Sequence, residues 1–178
     1  MTNNPWQCIC REVTKTILPI LPHLRSNKLK SEVISNLFES KAEEYFNSIN
    51  IPVRACQSDR EPDLYFLTDN KPLEIKVTRT TNAITNKLKW MGGKYSKRNS
   101  DHIFIAWYYR EPTIIDPSND ISYFIAKTYV TTDDWSLLDN GNENYYATVF
   151  TSDDLFNKDY EVMVGEYNNA NKAIITCG

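Results

Sequence analysis

The stretch Pro62-Asp63-Leu64-Tyr65-Phe66-Leu67-Thr68-Asp69-Asn70-Lys71-Pro72-Leu73-Glu74-Ile75-Lys76-Val77-Thr78 decides how this chain is read. Two apolar-rich runs flank a polar Thr-Asp-Asn-Lys segment, which is the pattern of a β-hairpin over 63–67 and 72–78. Side chains alternate along a strand, so Leu73, Ile75 and Val77 face one way and Glu74 and Lys76 the other. With 68–71 as the turn, Leu67 pairs with Pro72 and Asp63 lies across from Lys76. Asp63, Glu74 and Lys76 then share a face, with cross-strand neighbours about 4.5–5.5 Å apart. A slip of one residue would destroy this arrangement by turning one strand over.

Upstream of the hairpin, residues 6–18 read as a short helix stopped by Pro19 and Pro22. Ser31 is placed to cap a longer helix running to about Asn50. Its stripe of Ile34, Leu37, Phe38, Ala42, Tyr45, Phe46 and Ile49 recurs at helical spacing. Downstream, Ala83, Ile84, Lys87, Leu88 and Met91 predict a helix over 82–92, closed by Gly92-Gly93. His102-Ile103-Phe104-Ile105-Ala106-Trp107-Tyr108-Tyr109 is a nearly continuous apolar run, as expected of a strand covered on both faces. His102 opens this run and reads as structural. Strand, helix and strand make a βαβ unit with parallel strands. Further strands are expected at 121–131, 145–150 and 160–165, with a short helix capped within 151–154. The expected fold is one α/β domain over 1–178, a mixed central β-sheet flanked by helices.

The chain has 178 residues, 41% hydrophobic and 24% charged, with a formal net charge of -3. That length suits one domain without disulfide or metal staples. No stretch has the roughly 18 consecutive apolar residues of a membrane helix, and Met1-Thr2-Asn3-Asn4-Pro5 lacks the pattern of a secretion signal. A cytoplasmic protein without membrane partners, its four cysteines reduced, is the expectation. Only two histidines, His23 and His102, are present, which leaves few candidates for histidine-based nucleophilic catalysis. The charge is segregated. Residues 71–98 hold eight basic residues and one acid, whereas 111–178 hold twelve acids and three lysines. The basic centre is a candidate polyanion-binding face.

Two close carboxylates repel each other, and a hard divalent cation with oxygen ligands is their natural occupant. Mg²⁺ takes one or two protein carboxylates and keeps several waters. Such a site stabilises charge on a phosphorus centre and lowers the pKa of bound water. A neighbouring lysine can orient water or hold the scissile phosphate. The acid-x-Lys pattern alone is weak, since it also occurs at Glu39-Ser40-Lys41 and Asp69-Asn70-Lys71. Only Glu74-Ile75-Lys76 lies on a strand with an acid at the end of its hairpin partner. Carboxylates, lysine and basic segment together read as metal-assisted phosphodiester hydrolysis.

Pro62-Asp63, ten intervening residues and Glu74-Ile75-Lys76 resemble the PD-(D/E)XK nuclease superfamily, most of all small type II restriction endonucleases. The resemblance covers about residues 31–109, the catalytic core it implies. It further implies a Mg²⁺-dependent nuclease (Mn²⁺ as substitute) acting on double-stranded DNA, usually as a homodimer. Carried over, Asp63 and Glu74 are metal ligands, the Ile75 backbone carbonyl is a third, and Lys76 is the catalytic lysine. A helix glutamate often joins such a metal; Glu39 is the first choice here and Glu43 the second. For DNA contacts, Arg79, Lys87, Lys94, Ser96 and Lys97 suit phosphates, and Arg98 and Asn99 suit base edges. A structure-selective repair or junction-resolving nuclease and a non-cleaving DNA-binding module are the alternatives.

Overall fold

Asn4 begins the fold by accepting a hydrogen bond from Trp6 N–H at 3.0 Å, with Pro5 at the first helical position. The helix that follows, α1 (Pro5–Ile17), buries Trp6, Ile9, Cys10, Val13 and Ile17 along one stripe. The computed structural model describes residues 4–56, 58, 61–80, 84–85, 88–90, 99–131, 134, 150–151, 154–155, 157–168 and 172–174. A second helix, α2 (Asn27–Ser48), is capped by Ser26, whose side chain accepts from Leu29 N–H, and not by Ser31. Ser31 Oγ instead accepts a hydrogen bond from Trp107 Nε1 at 3.1 Å. Ile34, Phe38, Ala42 and Phe46 form the buried stripe of α2, while Ile49, expected to extend it, is exposed. The chain leaves α2 through Asn50 at φ 62°, and Ile51 N–H reaches back to the Phe46 carbonyl.

The main sheet has six strands in the order β1-β2-β3-β6-β7-β9. They are β1 (Val53–Ala55), β2 (Leu64–Phe66), β3 (Lys71–Arg79), β6 (Ser100–Arg110), β7 (Asp120–Val130) and β9 (Tyr160–Val164). The β3–β6 pair is parallel and the other pairs are antiparallel, so the α/β fold with a mixed sheet is as expected. The hairpin register is offset by two residues from expectation. Phe66 pairs with Lys71 and Leu64 with Leu73, because the turn takes residues 67–70. Asn70 accepts the left-handed backbone there (φ 56°), and Leu67 N–H turns aside to the Pro52 carbonyl at 2.8 Å. An offset of two keeps every side chain on its expected face.

The expected helix over 82–92 is a correction. Its described residues form β4 (Ile84–Thr85) and β5 (Lys89–Trp90). β4 joins β10 (Glu166–Asn168) and β11 (Lys172–Ile174) in a three-stranded sheet, and β5 pairs with β8 (Phe150–Thr151). Leu88 and Trp90, two residues apart, are both buried, a spacing no helix stripe provides. Trp90 packs edge-on against Phe104, its ring centroid 5.2 Å away, and donates to the Ile105 carbonyl at 3.0 Å. That tertiary anchor overrides the local helical pattern.

The sheet separates two cores. Under α1 and α2 lie Leu73, Ile75, Ile103, Ile105, Trp107, Tyr123 and Ile125. On the other face, Phe104, Ala106, Phe124, Ala126 and Val130 pack with Leu88, Trp90 and Leu155. Ile103 to Trp107 are therefore buried without a break, as their continuous apolar sequence requires. Among the described residues, no helix is long and apolar enough to cross a membrane.

Candidate active site

β2 begins at Leu64, one residue after Asp63, while β3 runs on past Leu73, the partner of Leu64. The antiparallel register extended by one pair puts Asp63 across from Glu74. Asp63 then does the work of the missing strand partner with its side chain. Its Oδ2 accepts the Ile75 N–H at 2.7 Å, its own N–H donates to Glu74 Oε2 at 3.3 Å, and its carbonyl accepts Cys56 N–H at 3.0 Å. Both the backbone and the carboxylate of Asp63 are thus held by β1 and β3.

Glu74 is only 1% exposed and Lys76 keeps 14% of its side chain in solvent. Lys76 Nζ lies 2.5 Å from Glu74 Oε1. A carboxylate this buried requires pairing, and the ammonium and the Asp63 N–H supply it. Asp63, Glu74 and Lys76, read from the sequence as sharing a face, are brought together, with Asp63 opposite Glu74 and not Lys76.

The parallel register adds a neighbour. Glu74 pairs with His102 and Lys76 with Phe104. His102 is 1% exposed, stacks on Phe104 at 5.6 Å, and its Nδ1 lies 2.9 Å from the Ser100 carbonyl. Burial pushes its pKa from 6.5 down to about 4, with the Lys76 ammonium adding to the effect and the Ser100 carbonyl opposing it. The imidazole is therefore neutral at pH 7 and Nδ1 carries the proton toward that carbonyl. Its burial at the start of the apolar run, with a hydrogen-bond partner in the Ser100 carbonyl, is what the sequence reading of a structural histidine expects. Its position beside Glu74 was not legible there, because the register between β3 and β6 is set by packing across the sheet.

The other expected site residues are more dispersed. Glu39 receives a hydrogen bond from Ser35 Oγ at 3.4 Å. Glu43 Oε1 accepts Ala55 N–H at 2.9 Å, one pair along β1 from the Cys56–Asp63 contact. Among the described residues, no three His, Cys, Asp or Glu side chains are gathered closely enough to hold a metal. Asp63, Glu74 and the Ile75 carbonyl, the expected Mg²⁺ ligands, are hard oxygens of the kind that ion takes, and Asp63 Oδ2 and both Glu74 oxygens accept protein hydrogen bonds. Exposed Arg79 lies at the end of β3 with its guanidinium 5.9 Å from the Trp107 ring centroid. Asn99 is exposed just before β6. Arg79 pairs with Trp107, so the two lie at opposite ends of the sheet, about 26 Å apart at 3.3 Å per residue. Lys87, Lys94, Ser96, Lys97 and Arg98 lie outside the described residues.

Two carboxylates and an ammonium on one face, flanked by a neutral histidine, can bind a hard cation and hold an anionic ester beside it. Comparison with protein-family models and with curated proteins returns no match.

Proposed function

We propose that the chain is a Mg²⁺-dependent endodeoxyribonuclease of restriction type, hydrolysing phosphodiester bonds of double-stranded DNA at a short specific site. One observation carries this reading. Asp63 and Glu74 meet just ahead of the start of β2, joined through the Asp63 N–H, with Lys76 Nζ 2.5 Å from Glu74. Asp63, Glu74 and the Ile75 carbonyl would hold Mg²⁺, which when bound supplies charge neutralisation at phosphorus and a more acidic water. The chain's own part is positional. Asp63 is fixed from three sides, Glu74 is fixed by Lys76, and Lys76 presents a cation beside the carboxylates where a phosphate oxygen gains negative charge. Arg79 and Asn99, at opposite ends of the β3–β6 pair, would add DNA contacts, as would Lys87, Lys94, Ser96, Lys97 and Arg98.

A second reading has its own observation in favour. Both oxygens of Glu74 already have partners, Lys76 and the Asp63 N–H, as in a purely structural buried ion pair. On that reading the domain binds DNA without cutting it.

Digestion of unmethylated phage DNA by the purified chain, with Mg²⁺ and with EDTA in parallel, separates the readings. Discrete Mg²⁺-dependent fragments are the expected result. A metal-dependent smear points to a structure-selective or non-specific nuclease of the same chemistry. Intact DNA on every substrate, with binding that survives EDTA, overturns the enzyme and leaves the binding module.

A further inference from the structure

Among the described residues, β1 forms one edge of the main sheet and is three residues long. In an antiparallel pair, alternate residues turn their main-chain N–H and C=O away from the partner strand. On an edge those outward groups meet no further strand. Here they belong to Val53 and Ala55. The inward ladder with β2 continues past both ends of β1. Leu67 N–H donates to the Pro52 carbonyl at 2.8 Å, and Cys56 N–H donates to the Asp63 carbonyl at 3.0 Å.

Side chains of α2 meet the outward groups instead. Asn47 Nδ2 donates to the Val53 carbonyl at 2.9 Å, and Asn47 Oδ1 accepts the Val53 N–H at 3.0 Å. Glu43, one turn earlier on the same side of the helix, accepts the Ala55 N–H through Oε1 at 2.9 Å. Phe46 holds the helix at this distance by packing edge-on against Phe66 of β2, ring centroids 5.2 Å apart. Two other acids of α2 have partners on the helix itself. Glu44 pairs with Lys41 at 2.8 Å, and Glu39 accepts from Ser35 Oγ at 3.4 Å. Glu43 reaches off the helix to the sheet.

From Glu43 a chain of contacts runs to the candidate site. Glu43 holds Ala55, the next residue Cys56 holds the Asp63 carbonyl, and Asp63 Oδ2 accepts the Ile75 N–H at 2.7 Å. Asp63 lies ahead of β2, so its main chain depends on Cys56 for its place. We propose that Glu43 is a positioning residue for Asp63: it clamps β1 through Ala55 and is not itself a metal ligand. A charged acceptor suits this task, because a hydrogen bond from N–H to a carboxylate is roughly twice as strong as to a neutral oxygen. The amide of Asn47 suits Val53, where a donor and an acceptor must both be met. Mg²⁺ demands near-ideal octahedral geometry at about 2.0–2.1 Å, so a carboxylate meant for it has to be held in place. That consequence for the ion rests on the nuclease reading, whereas the clamp on Asp63 does not.

Amide hydrogen exchange of the full chain by NMR, without metal, tests the clamp in Glu43→Ala and Glu43→Gln. In Glu43→Ala the amides of Ala55, Cys56 and Ile75 should exchange about tenfold faster than in wild type. Those of Ile105 and Ile125 should be unchanged, as local opening requires and a general loss of stability does not. Glu43→Gln keeps a carbonyl oxygen for the Ala55 N–H and should stay within about threefold of wild type at every one of these amides. Calorimetry with Mg²⁺ is the second readout. Groups that orient a metal ligand typically affect affinity about 10–100-fold, so Glu43→Ala should bind about tenfold more weakly and Glu43→Gln close to wild type. Unchanged exchange at Cys56 and Ile75 in Glu43→Ala overturns the proposal, whatever the chain does to DNA. Mg²⁺ affinity lost as fully in Glu43→Gln as in Glu43→Ala also overturns it, because the carboxylate would then be acting as a ligand. Exchange that responds as expected in a chain that binds no Mg²⁺ supports the clamp and removes the nuclease reading instead.

Discussion

On one face of β3, Leu73 and Ile75 pack beneath α2 with Ile103 and Ile105 of the neighbouring strand. On the other face, Glu74 and Lys76 lie beside His102 and Phe104. Glu74 and His102 are as deeply buried as the isoleucines, yet what burial demands differs. The apolar face needs only shape and volume, and well-packed hydrophobes exchange there at modest cost. The polar face needs a specific partner for every group. Glu74 has Lys76 and the Asp63 N–H, and His102 has the Ser100 carbonyl. Hydrophobic residues of similar volume often replace a buried ion pair without loss of stability. A face that keeps an acid, an amine and an imidazole where hydrocarbon would fold as well is where chemistry is to be sought.

If the faces are divided in this way, substitutions on them should separate activity from stability. The largest effect is expected from Asp63→Asn and Lys76→Met. Each should reduce DNA cleavage about 1,000-fold or more per folded molecule, with folding checked by circular dichroism. Lys76→Met should keep DNA binding in a gel-shift assay, whereas Asp63→Asn should also weaken Mg²⁺ binding by calorimetry. On the apolar face, Ile103→Ala should cost about 3 kcal/mol of stability by urea unfolding. Its Tm should fall by roughly 6–12 °C in a domain of this size, with cleavage per folded molecule within about threefold of wild type.

His102 sharpens the comparison through pH. Its folded pKa of about 4 lies below the 6.5 of the free side chain. Below pH 6.5 the unfolded chain takes up a proton that the native state refuses, so the stability from neutral His102 is full above pH 6.5. It is lost as pH falls toward 4. Urea midpoints should show a loss of about 2 kcal/mol between pH 7 and pH 5 that is absent in His102→Gln. An identical slope in both proteins would remove His102 as the cause. The smallest effect is expected at Trp90→Phe, which deletes the hydrogen bond to the Ile105 carbonyl and should cost about 1 kcal/mol without changing cleavage.

The hairpin was legible because period-two alternation and a polar turn are local signals. Its register was not, since the turn position depended on Asn70 adopting φ 56° and on Leu67 bonding to Pro52. The error of two residues was harmless to the faces, which is why Asp63, Glu74 and Lys76 were grouped correctly while the partner opposite Asp63 was not. Residues 102–109 were legible for the same local reason, their apolar run needing cover on both sides. The segment over 82–92 misled because Ile84 and Leu88 fit a helical stripe equally well. What decides its described part is long-range: Trp90 against Phe104 and the pairing of β5 with β8. Ser31 looked like a cap and serves Trp107, another partner far along the chain. For the helix glutamates, helical phase favoured Glu39, which borders the buried stripe beside Phe38, over Glu43. Glu43 is held by the backbone of β1 and Glu39 contacts Ser35.

The central claim is that Glu74 is kept for chemistry and its apolar neighbours for packing. The most direct test is one Mg²⁺ cleavage assay on Glu74→Gln and Ile103→Ala, normalised to folded protein. Loss of cleavage by about 1,000-fold or more in folded Glu74→Gln, with Ile103→Ala close to wild type, is the predicted result. Cleavage by Glu74→Gln at the wild-type rate would contradict it, and the buried pair would then be part of the scaffold alone.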